Sequence, residues 1–335
     1  MKVFKNPNIK GYLREVYFNF FQSKYSLDSN RFGDIQLEKL TGQNNLKLVN
    51  EKYLLWTSPC QITNSFISIS QQNGLISIDQ FEDLLKFFTN NLCKHLALYF
   101  NGYHDVKSIE TLLNKIDKQN IHSILIICDF HEHYFSDEFG EIIMNLSLNK
   151  KLVVLESPFE KNFEDTMFFT EKTKINRFNK SVSEFKANIT LFSESQLHHT
   201  YFNRKLYIGP NGEIKNAPEC EDSFGCIQDL NSAEQLKEII HTPEFQKYWF
   251  VHKEILDVCK DCEFRHMCVD NRLPYKRSEK EWYHKIECNY NPYIAKWEGE
   301  EGYKTLEECG VISNESGFSI DHDKIAKVNA ELWSE

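Results

Sequence analysis

Four cysteines in one late stretch restrict this chain more than any other feature. Cys259, Cys262 and Cys268 lie in CKDCEFRHMC, and Cys288 follows in IECNY. Two residues between the first pair let both sulfurs face one ion, and thiolates are soft, charged ligands suited to zinc or iron–sulfur clusters. Cys288 is the natural fourth ligand, with His266, His284 and Cys309 as alternatives. Spacing alone leaves zinc and a cluster both open. Disulfides are the poorer reading. The N-terminus, MKVFKNPNIKGYLREVYF, lacks the apolar block of about 7–15 residues that marks a secretory signal. The longest apolar runs, such as ILIIC at 124–128, fall far short of a membrane span. A cytoplasmic protein without a membrane partner is the expectation, and in a reducing compartment ten cysteines do not form a disulfide scaffold.

The 335 residues, 41% apolar and 14% aromatic, suffice for one large α/β domain or two unequal ones. With 39 basic against 49 acidic residues the net charge is −10, which argues against a general grip on nucleic acid. Residues 1–51 are polar and irregular with aromatic clusters such as YFNFF, and read as a small N-terminal lobe. From residue 52 short apolar runs alternate with amphipathic helices. The strand-like runs are SFISIS (65–70), HLALYF (95–100), SILIIC (123–128), KLVVLE (151–156) and NITLFSE (188–194). Helical spacing links Ile78, Phe81, Leu84, Leu85 and Phe88, then Ile109, Leu112, Leu113 and Ile116, and a third helix is expected around Ile142, Ile143, Leu146 and Leu148. This rhythm over 52–200 predicts a parallel sheet with right-handed crossovers, as a partial barrel or an open sheet. It breaks at 201. KLYIGPNGEIKNAPEC reads as a hairpin, and a helix follows, capped by Ser232 with Gln235 three residues on. The cysteine-rich region 201–335 is short of apolar residues, and a metal would help to fold it.

The remaining cysteines carry weaker signals. Cys220 and Cys226, in ECEDSFGC, are two ligands of a second, incomplete site or reduced thiols at the end of a hairpin. Cys93 and Cys128 read as small core residues. In CDFHEH, Asp129, His131 and His133 alternate behind a strand, as a polar rim or as a metal or acid–base site. His198 and His199 point apart on an extended chain. No phosphate-binding glycine loop, nucleophile elbow or zinc-protease helix is present, so an autonomous hydrolase or nucleotide-using enzyme has little support.

Taken together, KLYIGPNGEIKNAPEC, a helix, CKDCEFRHMC and ECNYNPY resemble a SPASM domain, the C-terminal cluster-binding module of peptide-modifying radical S-adenosylmethionine enzymes. The wording most resembles the SPASM peptide maturases of grasp-with-spasm systems, which occur beside an ATP-grasp ligase and a short precursor peptide. The resemblance is specific over 187–298; WTSPCQITNSFISI and the α/β rhythm agree with a degenerate radical-enzyme barrel over 52–186. It implies that Cys259, Cys262, Cys268 and Cys288 ligate an auxiliary [4Fe–4S] cluster, and that Cys220 and Cys226 fall where a first auxiliary cluster takes two ligands. The pattern expects a further cysteine four residues after the third, where this chain has Arg272, and close relatives often have one at Asn271. The C-x3-C-x2-C motif that leaves one iron open for S-adenosylmethionine is also missing. Only Cys60, Cys93 and Cys128 lie in residues 1–200, each more than thirty residues from the next.

The resemblance therefore implies a degenerate barrel followed by a SPASM domain, acting in maturation of a ribosomally synthesised peptide without radical S-adenosylmethionine cleavage. Its partners would be the precursor peptide and the ATP-grasp ligase, with the N-terminal lobe a possible peptide-recognition element. Two other readings stand beside it: a redox maturase using the auxiliary cluster, and a zinc-stapled interaction scaffold.

Overall fold

The computed structural model describes residues 61–70, 78–171, 185, 188–230 and 232–333. The N-terminal lobe, Cys60 and the side chain of Ile78 lie outside them. Strand and helix alternate as β1 (Asn64–Ser70), α1 (Ile78–Asn90), β2 (His95–Asn101), α2 (Val106–Asp117), β3 (Ser123–Asp129), α3 (Asp137–Met144) and β4 (Asn149–Leu155). The helices start where the chain supplies caps: Asp105 Oδ1 accepts from Ser108 N at 2.9 Å, and Ser136 Oγ from Phe139 N at 3.2 Å.

Parallel registers carry one face of the sheet across all four strands. Ile67 pairs with Leu98, Leu98 with Ile126 and Ile126 with Leu152, and all four are fully buried. The buried stripes Phe81, Leu84, Leu85 and Phe88, then Ile109, Leu113 and Ile116, complete this core. A strand order that advances without reversal, joined by right-handed crossovers, puts the helices on one face. The opposite face, with Phe66, Ala97, Tyr99 and Val153, is only half-buried.

The sheet grows at both ends. β5 (Lys161–Phe163) and β6 (Met167–Phe169) form a hairpin joined by three residues, in which Glu164 and Asp165 have positive φ and Thr166 N donates to Phe163 O at 2.9 Å. β6 runs parallel to β4. At the other end β7 (Lys205–Ile208) runs parallel to β1, and β8 (Ile214–Lys215) pairs back onto β7. The result is an eight-stranded, mostly parallel sheet, ordered β5-β6-β4-β3-β2-β1-β7-β8, whose edge strands do not pair with each other.

Two expectations need correction. NITLFSE is not a strand but helix α4 (Ile189–Ser195). Asn188 caps it through Leu191 N at 3.1 Å, and Ser193 Oγ donates back to Ile189 O, so local hydrogen bonds outweigh the β-branched start. The boundary at 201 also moves. The described residues 61–171 and 202–248 form one compact unit, and 185–201 with 249–333 form the other. The hairpin and the helix after it, α5 (Ala233–Ile240), belong to the sheet unit because β7 completes the β1 edge. Ser232 stands at the N-cap of α5, but its side chain makes no capping bond.

The second unit has a different construction. Its strands pair only in twos: β9 (Pro274–Lys276) with β10 (Trp282–His284), β11 (Tyr290–Asn291) with β12 (Lys296–Trp297), and β13 (Val311–Asn314) with β14 (Gly317–Ile320). Helix α6 (His322–Trp333) sets Val328 against Ile294 and Cys309 in a small apolar cluster. Among the described residues no helix is long and apolar enough to cross a membrane.

Candidate metal centre

Cys259, Cys262, Cys268 and Cys288 line one cavity in the second unit. Each is brought there by a different local device. Cys259 opens a single 3-10 turn, and Cys262 N donates to Cys259 O at 3.1 Å to close it. Thr200 Oγ1 holds the carbonyl of Cys268 at 2.7 Å, and Cys288 lies in the link between β10 and β11.

The approach to Cys259 is strained. Val258 has φ 65° and ψ −50°, and Cys259 N donates to Asp257 O at 2.6 Å. That is a three-residue γ-turn of the rare positive-φ form, with a β-branched residue at its centre. A conformation of this kind costs about 1–3 kcal/mol and persists only where the surroundings fix it. Here they do: Asp257 N donates to Trp282 O at 2.9 Å, and its buried carboxylate accepts from Arg277 and from Ser313 Oγ.

One wall of the cavity is aromatic. Phe264, Tyr290 and Trp297 pack on one another, with Tyr290 and Trp297 centroids 4.6 Å apart, and Phe185 stacks on Phe264 at 4.6 Å. Tyr290 donates its hydroxyl to Glu263. In these surroundings thiols resist ionisation: burial raises the pKa of Cys262 well above its ordinary value, pushes Cys268 up to about 12, and raises Cys288.

The other wall is charged. Lys253 and Arg272 both bond to Asp270, and all three are buried. Arg272 Nη1 also donates to Ile286 O at 2.9 Å, and its Nη2 lies 3.7 Å from Cys259 Sγ. Burial works against the charge on Asp270, but Arg272 and Lys253 outweigh it and hold the carboxyl well below its usual range. Burial and the neighbouring Arg272 push His284 well down.

Ligating atoms of Cys259, Asp270 and His284 lie within 4.8 Å of one another, so proximity alone would let this trio hold a metal ion. Asp270 was not singled out by the sequence, because a lone Asp two residues after a cysteine carries no spacing signal. Its hydrogen bonds argue for a different role. Oδ1 accepts from Arg272 N and Nε at 3.0 Å each, while Oδ2 accepts from Arg272 Nη2 and from Lys253. Both oxygens serve the cations, which makes Asp270 an anchor for them.

The alternative fourth ligands fare unequally. His284 lines the cavity. His266 sits on Ser195 Oγ through Nδ1 at 2.9 Å, and Cys309 is buried in the small apolar cluster, accepting from Asn291 Nδ2 at 3.4 Å. The weaker pair lies in the sheet unit. Cys220 is buried, its thiol pushed up to about 12 by burial, and Cys226 Sγ donates to Asn211 O at 3.1 Å and to Gln228 Oε1 at 2.6 Å. Neither belongs, among the described residues, to a close trio of ligating side chains.

The sheet unit itself brings no cysteine trio together among the described residues. Cys93 precedes β2 and Cys128 is next to last in β3, so they stand at opposite ends of parallel strands, both buried. Seven residues of strand separate those ends, about 20 Å. At the carboxyl rim Asp129 accepts from Tyr99 Oη and Gly102 N at 2.8 Å each, while His131 and His133 stack with centroids 4.9 Å apart. No protein-family model matches this chain, and no curated protein matches it.

Proposed function

We propose that Cys259, Cys262, Cys268 and Cys288 hold a [4Fe–4S] cluster in an accessory protein of ribosomal peptide maturation, which binds a precursor peptide and presents it to an ATP-grasp ligase. The observation that carries the cluster is the meeting of four cysteines on one cavity with an aromatic wall and buried cations behind it. Thiolate ligands suit a cluster as well as zinc, and the resemblance to a SPASM domain favours the cluster. When bound, such a cluster would supply folding free energy to its unit and a low-potential electron store.

Peptide binding has separate support. β5 is an edge strand whose outer side faces no other strand among the described residues, and an extended peptide can add to such an edge through main-chain hydrogen bonds. Beside it Phe135, Phe159, Phe163 and Phe169 form an aromatic cluster, with Phe135 45% exposed. The separation of Cys93 from Cys128 argues for presentation of the peptide over radical cleavage of S-adenosylmethionine.

Two measurements test this. Anaerobically purified protein should contain iron and sulfide in equal amounts and show visible absorbance that dithionite bleaches; a colourless protein with stoichiometric zinc would refute the cluster. Labelled precursor peptide should bind at micromolar concentration or tighter, more weakly to Asn162→Pro, which removes a donor from β5. Absence of binding to both peptide and ligase would sink the presentation role.

A further inference from the structure

The cavity carries one more buried cation than buried anion. Lys253 and Arg272 are 2% and 6% exposed, and the carboxylate that serves both is Asp270, 3% exposed. The buried carboxylate that lines the cavity itself, Asp257, is taken by Arg277 and Lys260. A buried charge without an opposite partner is strongly unfavourable, so an anion in the cavity would balance the surplus. A cubic cluster in its oxidised form, held by four thiolates, is doubly negative and provides one.

Arg272 is also aimed. Asp270 grips one edge of the guanidinium through Nε and Nη2, Ile286 O receives Nη1 at 2.9 Å, and Nη2 lies 3.7 Å from Cys259 Sγ. A planar fork fixed at three points has one orientation, and here it faces a ligand sulfur.

We propose that Arg272 is a positioning residue that sets the reduction potential of the cluster, donating to the Cys259 sulfur and matching, with Lys253, the negative charge of the thiolate-bound cube. This rests on the cluster reading above. One-electron reduction adds a negative charge to the cube. A fixed cation at a ligand sulfur favours the reduced form, and the carboxylate that holds the cation opposes it. The two residues therefore act on the potential with opposite sign, which a role in folding alone does not produce.

The test is the midpoint potential of the reconstituted full-length protein, measured on an electrode, beside its iron and sulfide content. Arg272→Gln should shift the one-electron equilibrium at least tenfold toward the oxidised form, about 59 mV downward. Arg272→Lys should restore more than half of that shift, and Asp270→Asn should move the potential upward. An unmoved potential in Arg272→Gln at full iron content would overturn the inference, as would shifts of the same sign in Arg272→Gln and Asp270→Asn. If Arg272→Gln fails to fold, the upward shift in Asp270→Asn decides, and its absence counts against the inference. A wild-type protein loaded with zinc defeats the cluster reading itself, before any variant is compared.

Discussion

The two units of this protein are held together by different means. In the sheet unit one apolar layer runs through Ile67, Leu98, Ile126 and Leu152 and is sealed by the helix stripes of Phe81, Phe88, Ile109 and Ile116. The cysteine unit has no such layer among its described residues. It relies on three two-stranded ladders, a small cluster around Cys309, and buried ion pairs such as Lys253 with Asp270 and Arg277 with Asp257. Isolated two-stranded ribbons are marginal in water, and buried ion pairs contribute little net stability. A region built this way gains most from a cross-link, which the proposed metal centre would supply.

The largest effect that would sharpen this contrast comes from Cys262→Ser. It should remove most of the bound metal and speed amide exchange across 249–333 far more than across the sheet, because ligand binding there is coupled to folding. Equal acceleration in both units, read by hydrogen exchange, would erase the distinction. The reciprocal change is Leu98→Ala. It should destabilise the sheet unit by about 2–5 kcal/mol in denaturant unfolding while leaving the metal content as in wild type.

A pH experiment separates the units next. Between an ordinary thiol pKa of 9.0 and about 12, folded metal-free protein keeps Cys268 protonated while the unfolded chain ionises. The unfolded state then binds fewer protons, so the stability of the metal-free cysteine unit is full below about 9 and falls as pH rises toward 12. Metal-loaded protein lacks this alkaline loss, since its thiols are already thiolates. Loading at neutral pH should correspondingly release about four protons in a pH-stat, one from each ligand thiol.

Smaller effects follow. Val258→Gly relieves the positive φ before Cys259 and should stabilise the metal-free cysteine unit by about 1 kcal/mol, whereas Val258→Ile should not. Cys226→Ser should change neither metal content nor stability by more than about 1 kcal/mol. A loss of metal in that variant would extend the centre beyond the cysteine unit.

Much of the sheet was legible because its elements repeat two periods, alternation in β1 to β3 and helical spacing in α1 and α2, each spanning only local sequence. The exceptions mark where local signals run out. NITLFSE has strand-like residues, but Asn188 and Ser193 supply helix hydrogen bonds that composition does not rank. The β7–β8 hairpin reads correctly as a hairpin, yet only the long-range register of Leu206 against Ser65 assigns it to the sheet. Asp270 is invisible for the same reason, since its partner Lys253 lies seventeen residues away in sequence.

The sequence by itself determined the alternating α/β region and singled out four sulfur donors, because periodicity and ligand spacing are written in neighbouring residues. Tertiary structure decided that Cys288 shares a cavity with Cys259, that Arg272 faces the Cys259 sulfur, and that Asp270 serves the cations. Those are contacts across turns and between hairpins, where the energy lies in burial and charge balance that no local pattern encodes.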